Sequence, residues 1–235
     1  STRKESSAAS DVYKRQVVAC SEDALETSPS SSVSGNELLG TATNALVSLN
    51  GVYRAMYTAG VSNSSNTHQC FGITAYNLVA DVMGEDCIMN GQGSGWFWYD
   101  CVYNVKSRYT STGWRSYDMW NGYYTWISNV NYILAEEETM SGSETEKNYV
   151  LGQAYAVRAY SYFMLAQMFS RTYKGHESEP CVPLYTEPTD IATEGKGRAT
   201  VEEVYQQITS DLDKAITMLG NSCLLYTSDA ADDSL

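Results

Sequence analysis

Histidine, proline and basic residues are scarce in this chain, and each shortage removes a class of function. Only two histidines, His68 and His176, occur in 235 residues. None of the six cysteines (Cys20, Cys70, Cys87, Cys101, Cys181 and Cys223) forms a CxxC pair. Structural zinc centres want closely spaced Cys and His ligands, so no metal site of that kind is expected. Lys and Arg number 15 against 28 Asp and Glu, a formal net charge of −13. Phosphate backbones are held by clustered Lys and Arg, so nucleic acid is not an expected partner. Four prolines exclude a proline-rich or collagen-like chain. No apolar run reaches the roughly 18 residues that a membrane-spanning helix needs. Nucleophile elbow, P-loop and HExxH strings are missing too, and no cofactor is implied. Pairs of carboxylates suited to a glycosidase can be drawn from any acidic sequence and carry no weight.

What is plentiful is Tyr and Trp, at 19 and 5 residues against only 4 Phe. Such rings have an apolar body and a polar handle, and they suit half-wet binding faces as well as cores. The length fits one large domain or two small ones. Long apolar-periodic segments argue against wholesale disorder. The cysteine spacing leaves two states open: one or two disulfides if the chain is exported, or free buried thiols.

The two ends differ from the middle. Residues 1–16, with the string SAASDVYKRQ, and residues 223–235, with CLLYTSDAADD, resemble translated sequencing-adapter read-through and are expected to be non-native extensions. The origin of Cys223, which opens the second string, stays undecided. Without residues 1–16 and 224–235 the chain still has 11 basic and 23 acidic residues, so the acidic character belongs to the middle. Residues 17–34 read as a lipobox remnant and polar tether. Val17-Val18-Ala19-Cys20 places an apolar residue three before a cysteine and a small residue just before it. Signal peptidase needs small side chains at its cut and a thiol to accept the lipid, which makes Cys20 the candidate lipidation site.

Residues 35–222 then carry helical periodicity. A first helix is expected from about Asn36 to Tyr57 on a stripe that includes Leu38, Leu39, Ala42, Ala45, Leu49 and Val52. A shorter one fits Ile73–Met83, and a long one Trp114–Glu138 with Trp120, Tyr124, Ile127, Asn131 and Leu134 inward. Ser143 with Glu146 forms a capping box that starts a helix to about Phe169, with Phe163 among its inward residues. Thr200 with Glu203 repeats that device for a last helix, whose stripe includes Val204, Ile208, Leu212, Ala215 and Ile216. Residues 171–199, with three of the four prolines, are expected as a loop. Strand signals are nearly missing. The fold class is therefore all-α, with antiparallel helix pairs of tetratricopeptide-like character and long loops.

The strings WNGYYTWISNVNYIL (120–134), GQAYAVRAYSYFMLAQMF (152–169), VPLY (182–185) and RATVEEVYQQITSDLDKAITML (198–219) resemble the SusD/RagB family. LNGVYRAMY (49–57) and YNLVADVMGEDC (76–87) follow the same pattern in the same order. The resemblance covers about Val17 to Ser222 and implies the N-terminal part of a longer protein. It implies a surface lipoprotein of the outer membrane in the Bacteroidota, anchored through Cys20. Such a protein catalyses nothing: it binds glycans and delivers them to a SusC-type TonB-dependent transporter. A peptide-binding RagB-type branch and a helical-repeat scaffold for protein partners remain alternatives.

For a glycan, the candidate contacts lie in the Gly-rich loop. Sugar rings present C–H faces that stack on flat aromatics, and amides or carboxylates bond their hydroxyls. Trp96, Trp98 and Tyr99 supply the first, and Asn90, Gln92 and Asp100 the second. An extended run would place Trp96 and Trp98 on one side. The competing reading is that the WFWY cluster packs the loop onto the helices. Trp114, Trp120 and Trp126 are expected to be structural, Trp120 in the core, with an exposed position or one on the barrel-partner face left open for Trp126. Arg158 is expected to pair with a carboxylate or with backbone carbonyls between helices. Asp81, Glu85 and Asp86 read as a solvated acidic turn.

Overall fold

The computed structural model describes residues 39–85, 87–103 and 113–222. Both terminal extensions, the 17–34 tether with Cys20, the start expected for the first helix at Asn36, and Asp86 lie outside the described residues. Among the described residues six helices follow in order: α1 (Ala42–Ala55), α2 (Ile73–Met83), α3 (Trp98–Cys101), α4 (Trp114–Ala135), α5 (Glu144–Phe169) and α6 (Val201–Ser222). Among the described residues there is no strand, only the isolated bridges Thr41–Ser141 and Pro180–Thr200. The fold is all-α.

Local chemistry sets where these helices begin. Thr41 caps α1, its hydroxyl accepting from the Asn44 amide at 3.1 Å. Both capping boxes form. The Glu146 amide donates to Ser143 Oγ at 3.2 Å while Glu146 Oε2 accepts from the Ser143 amide at 2.9 Å. Thr200 and Glu203 repeat the pattern at 3.2 and 2.7 Å. Each box satisfies two amides that the first helical turn would otherwise leave unpaired.

The short 136–143 connection makes α4 and α5 antiparallel neighbours. α6 packs along α5, and α1 touches both α4 and α5. This order makes α5 the central helix, and burial follows. Val150, Leu151, Ala154, Val157, Arg158, Ser161, Tyr162 and Leu165 are all buried, which spans more than one face. Phe163, expected inward, is 40% exposed: it lies at the edge of the α5–α6 contact, where its ring meets Tyr205 edge-on at 6.4 Å. A similar correction applies to α6. Its inner face is Val201, Val204, Ile208, Asp211 and Ala215, whereas Leu212 and Ile216 are exposed. Val201, Val204, Ile208 and Ala215 are inward as expected, and Asp211 takes the place expected for Leu212 because Arg158 on α5 pairs with it.

Glycine permits the closest approach. A Cβ at Gly152 would stand 2.8 Å from Leu219 Cγ, so α5 and α6 meet there backbone to side chain. Around the remaining helices, Trp126 is almost wholly buried at 1% exposure, a structural position in place of the exposed or partner-facing one that the sequence left open. It sits among Tyr76 and Tyr123, the latter in an edge contact at 4.9 Å.

Candidate functional site

The segment 87–103 folds around Phe97. This residue adopts the left-handed conformation, φ 56°, and precedes α3. Its amide donates to Gln69 Oε1 at 2.8 Å, and its ring is buried edge-on to Phe71 at 6.1 Å. Non-glycine residues reach this conformation at a cost, so the buried ring and the amide bond must hold it. The consequence is geometric. The run 96–99 is not extended, and simple alternation does not place Trp96 with Trp98. Trp96 is 49% exposed and stacks on His68, with centroids 5.3 Å apart and planes 17° from parallel. Trp98 is half-buried at the start of α3, while Tyr99 is exposed. Asn90 and Gln92 are exposed as well.

Asp100 has a different role from the one expected. It is buried, and its Oδ2 accepts from Arg115 Nη2 at 3.1 Å. Arg115, also buried, donates through Nη1 to the Gln69 carbonyl at 2.8 Å. Its guanidinium lies 4.2 Å from the Trp114 ring centroid and 5.2 Å from that of Phe97. Arg115 thus joins the first turn of α4 to the aromatic loop, and Asp100 neutralises it there. A buried carboxylate so engaged does not serve a ligand hydroxyl. Nothing in the pattern around Arg115 announced this pairing, because its partners come from two loops distant in sequence.

Below this joint lies a polar cluster in the core. Asp118 is fully buried and accepts a short hydrogen bond from Ser62 Oγ. Tyr76 donates to the Asp118 carbonyl at 3.0 Å. Burial pushes the Asp118 carboxyl above its ordinary range, although Ser62, Cys70 and Arg115 favour the anion. The Cys70 thiol beside it is pushed up to about 12, chiefly by burial. An acid with a raised folded-state pKa holds its proton more tightly in the folded chain. The stability it contributes is complete below the unfolded pKa and is lost as pH rises through the raised value. Thermal melts between about pH 4 and about pH 7 should therefore show Asp118→Asn losing less stability than the parent as pH rises. Parallel curves would count against the raised carboxyl.

A second feature is built on α4 and α5 by residues 181–199, which cross them as a strap. Arg158 anchors it. This guanidinium binds Asp211 through Nε and Nη2, at 2.8 and 2.7 Å. Its Nη1 reaches Asn131 Oδ1 at 2.9 Å and the Thr186 carbonyl at 3.1 Å. Both expected partner types are present. Asn131 then donates to the carbonyls of Tyr185 and Glu187 at 2.9 and 3.1 Å. Tyr162 donates to the Tyr185 carbonyl and accepts from its amide. Tyr124 binds the Pro183 carbonyl at 2.7 Å and Tyr132 that of Thr189 at 2.8 Å.

Between the strap and α4 is a cleft of about 320 Å³, walled by Trp120, Tyr124 and Tyr185 and edged by Ser128, Thr189, Asp190 and Thr193. Trp120 is therefore half-buried and lines an opening, in place of the core position expected of it. A larger hollow of about 620 Å³ has Met83, Met119 and Met168 in its walls, with Arg115 and Arg198. Arg115 and Arg198 are already bound to backbone carbonyls, and Arg171, also in the wall, faces Glu179 at 3.6 Å.

A family described as starch-binding and associating with the outer membrane matches residues 80–231. The chain belongs to this SusD-like family. A SusD-like carbohydrate binding protein from Bacteroides vulgatus is 28% identical, with a TM-score of 0.64 over 76% of this chain and 36% of that one. A SusD superfamily protein from Bacteroides thetaiotaomicron shares the fold at 22% identity, with a TM-score of 0.55 over 76% of this chain and 37% of that one. The SusD-like chain thus spans little more than a third of the length of these solved structures. Comparison with curated proteins finds no match. The stretch matched by the SusD-like family takes in the 90–100 loop, α4, α5, the strap and α6.

Proposed function

We propose that this protein captures oligosaccharides at the cell surface and delivers them to a SusC-type TonB-dependent transporter, without catalysing a reaction. The reading is supported by one observation above the others: the exposed Trp96 and Tyr99 stand on a loop locked from beneath by Phe97, Gln69, Arg115 and Asp100. Rigid aromatic plates lose little freedom when a sugar stacks on them, so most of the contact energy is retained. Trp96 and Tyr99 supply stacking faces, Trp98 a half-buried flank, and Asn90 and Gln92 amides for the hydroxyls. Asp100 is left out of this set because Arg115 occupies it. Cys20 is the lipid-bearing residue, with more than one acyl chain needed for stable anchoring.

Affinity electrophoresis in gels containing amylopectin, xylan or dextran tests the reading. Trp96→Ala should weaken retardation roughly 3- to 10-fold, the equivalent of about 0.5–1.5 kcal/mol from one aromatic contact. Retardation equal to that of the parent would remove Trp96 from the site. A parent that is retarded by no glycan but binds immobilised peptides would favour the RagB-type branch. Labelling with a palmitate analogue, lost on Cys20→Ser, tests the anchor.

A further inference from the structure

We propose that the cleft between α4 and the 181–199 strap is a second saccharide subsite, separate from the Trp96 loop, which takes one or two neutral sugar rings of an oligosaccharide. The inference rests on the carbohydrate-binding reading above and extends it to residues that reading does not use. The volume of about 320 Å³ lies at the lower end of the range of small-ligand pockets, roughly 300–1,000 Å³.

The walls alternate the two chemistries a sugar ring needs. Trp120 and Tyr124 pack at 4.8 Å, and Tyr185 meets Tyr124 edge-on at 6.1 Å, so three rings form an angled aromatic trough. Phe169 buttresses Trp120 from the side, at 5.0 Å and 89°. Hydroxyl groups and one carboxylate sit around this trough. Ser128 and Thr189 hydroxyls bond each other at 3.2 Å. Each hydroxyl has one donor and two acceptor positions, so this mutual bond leaves capacity for a ligand. Asp190 Oδ1 accepts from the Ala192 amide and the Thr193 hydroxyl, both at 2.9 Å. These bonds hold the carboxylate ionised, below its ordinary range. They use one oxygen, and the other is available to accept from sugar hydroxyls. An anionic acceptor strengthens such bonds.

The strap is also prepared in advance. Asn131, Tyr124, Tyr132, Tyr162 and Arg158 each bind its backbone, so the trough does not need to be ordered by the ligand. An apolar anchor from a protein partner would leave the second Asp190 oxygen and the remaining hydroxyl capacity unused, whereas a polyhydroxylated ring satisfies them.

The test is hydroxyl-radical footprinting of the full chain with maltoheptaose, cellohexaose and xylohexaose as probes. One of them should slow oxidation of Trp120 and Tyr185 at least about twofold. Ser128→Phe places a ring in the cleft and should abolish that protection while leaving protection of Trp96. Asp190→Asn keeps the Oδ1 contacts and removes the charge, and it should weaken the same protection several-fold with unchanged thermal melting. Protection of Trp96 with none at Trp120 and Tyr185 overturns the second subsite and leaves the loop site standing. The reverse pattern supports the cleft and removes the loop assignment. Equal oxidation of all four residues, Tyr99 included, with every probe overturns both.

Discussion

Arg158→Ala should lower the stability of the folded chain by about 3–5 kcal/mol, the usual cost of stranding one member of a buried ion pair. The partners are deep: side-chain exposure is 6% for Arg158 and 1% for Asp211. Removing the guanidinium leaves the Asp211 carboxylate without its two charge-assisted bonds, with only Gln207 Nε2 at 2.9 Å. It also releases Asn131 Oδ1 and the Thr186 carbonyl, so the strap loses one of its ties to α5 and keeps those through Tyr162. For a domain of this size, such a loss moves Tm by roughly 10 °C. Arg158→Lys should recover only a small part. One ammonium offers no planar fork, and the bidentate bond to Asp211 cannot be shared with Asn131 and Thr186 at once. Urea unfolding of the three proteins, with Asp211→Ala alongside, checks this. A loss below about 1 kcal/mol would mean that the pair behaves as an exposed one.

Gly72→Ala should cost about as much, by a different route. Gly72 has φ +68° and ψ −143°, a region that is essentially closed to side chains. A Cβ there would stand 1.9 Å from the Met56 carbonyl oxygen, a backbone atom that cannot rotate away. That same oxygen accepts from the Ile73 amide at 2.7 Å, the contact that joins the end of α1 to the start of α2. Backbone strain of about 1–3 kcal/mol combines with displacement of α2. We expect a loss of at least about 3 kcal/mol in chemical denaturation, together with faster amide exchange across α2. Gly51→Ala is the control, since a Cβ there meets nothing within 4 Å and sits in the middle of α1. It should be neutral or slightly stabilising.

The helices were legible because local chemistry marks them. The run Ile73–Met83 has the bounds that its apolar spacing implies, and both capping boxes form as written in the sequence. The small helix Trp98–Cys101 was not legible, since its start depends on Phe97 taking a left-handed conformation that only tertiary packing holds. The candidate site was half legible. Trp96 and Tyr99 are exposed on a Gly-rich loop as a binding role requires, but Asp100 is withdrawn by Arg115, and Trp120 lines a cleft. In each case the deciding contact joins residues far apart in the chain, and periodicity reports only neighbours within a turn or two.

By itself the sequence determined that this is an all-α chain, where its main helices lie, and which family strings it carries. Those follow from spacing, caps and residue type, all of which act within a few residues. The tertiary structure alone decided that Asp211 joins Val201, Val204, Ile208 and Ala215 on the inner face of α6 while Leu212 and Ile216 turn outward. The decision falls to Arg158, whose buried charge needs the Asp211 carboxylate and draws that face against α5.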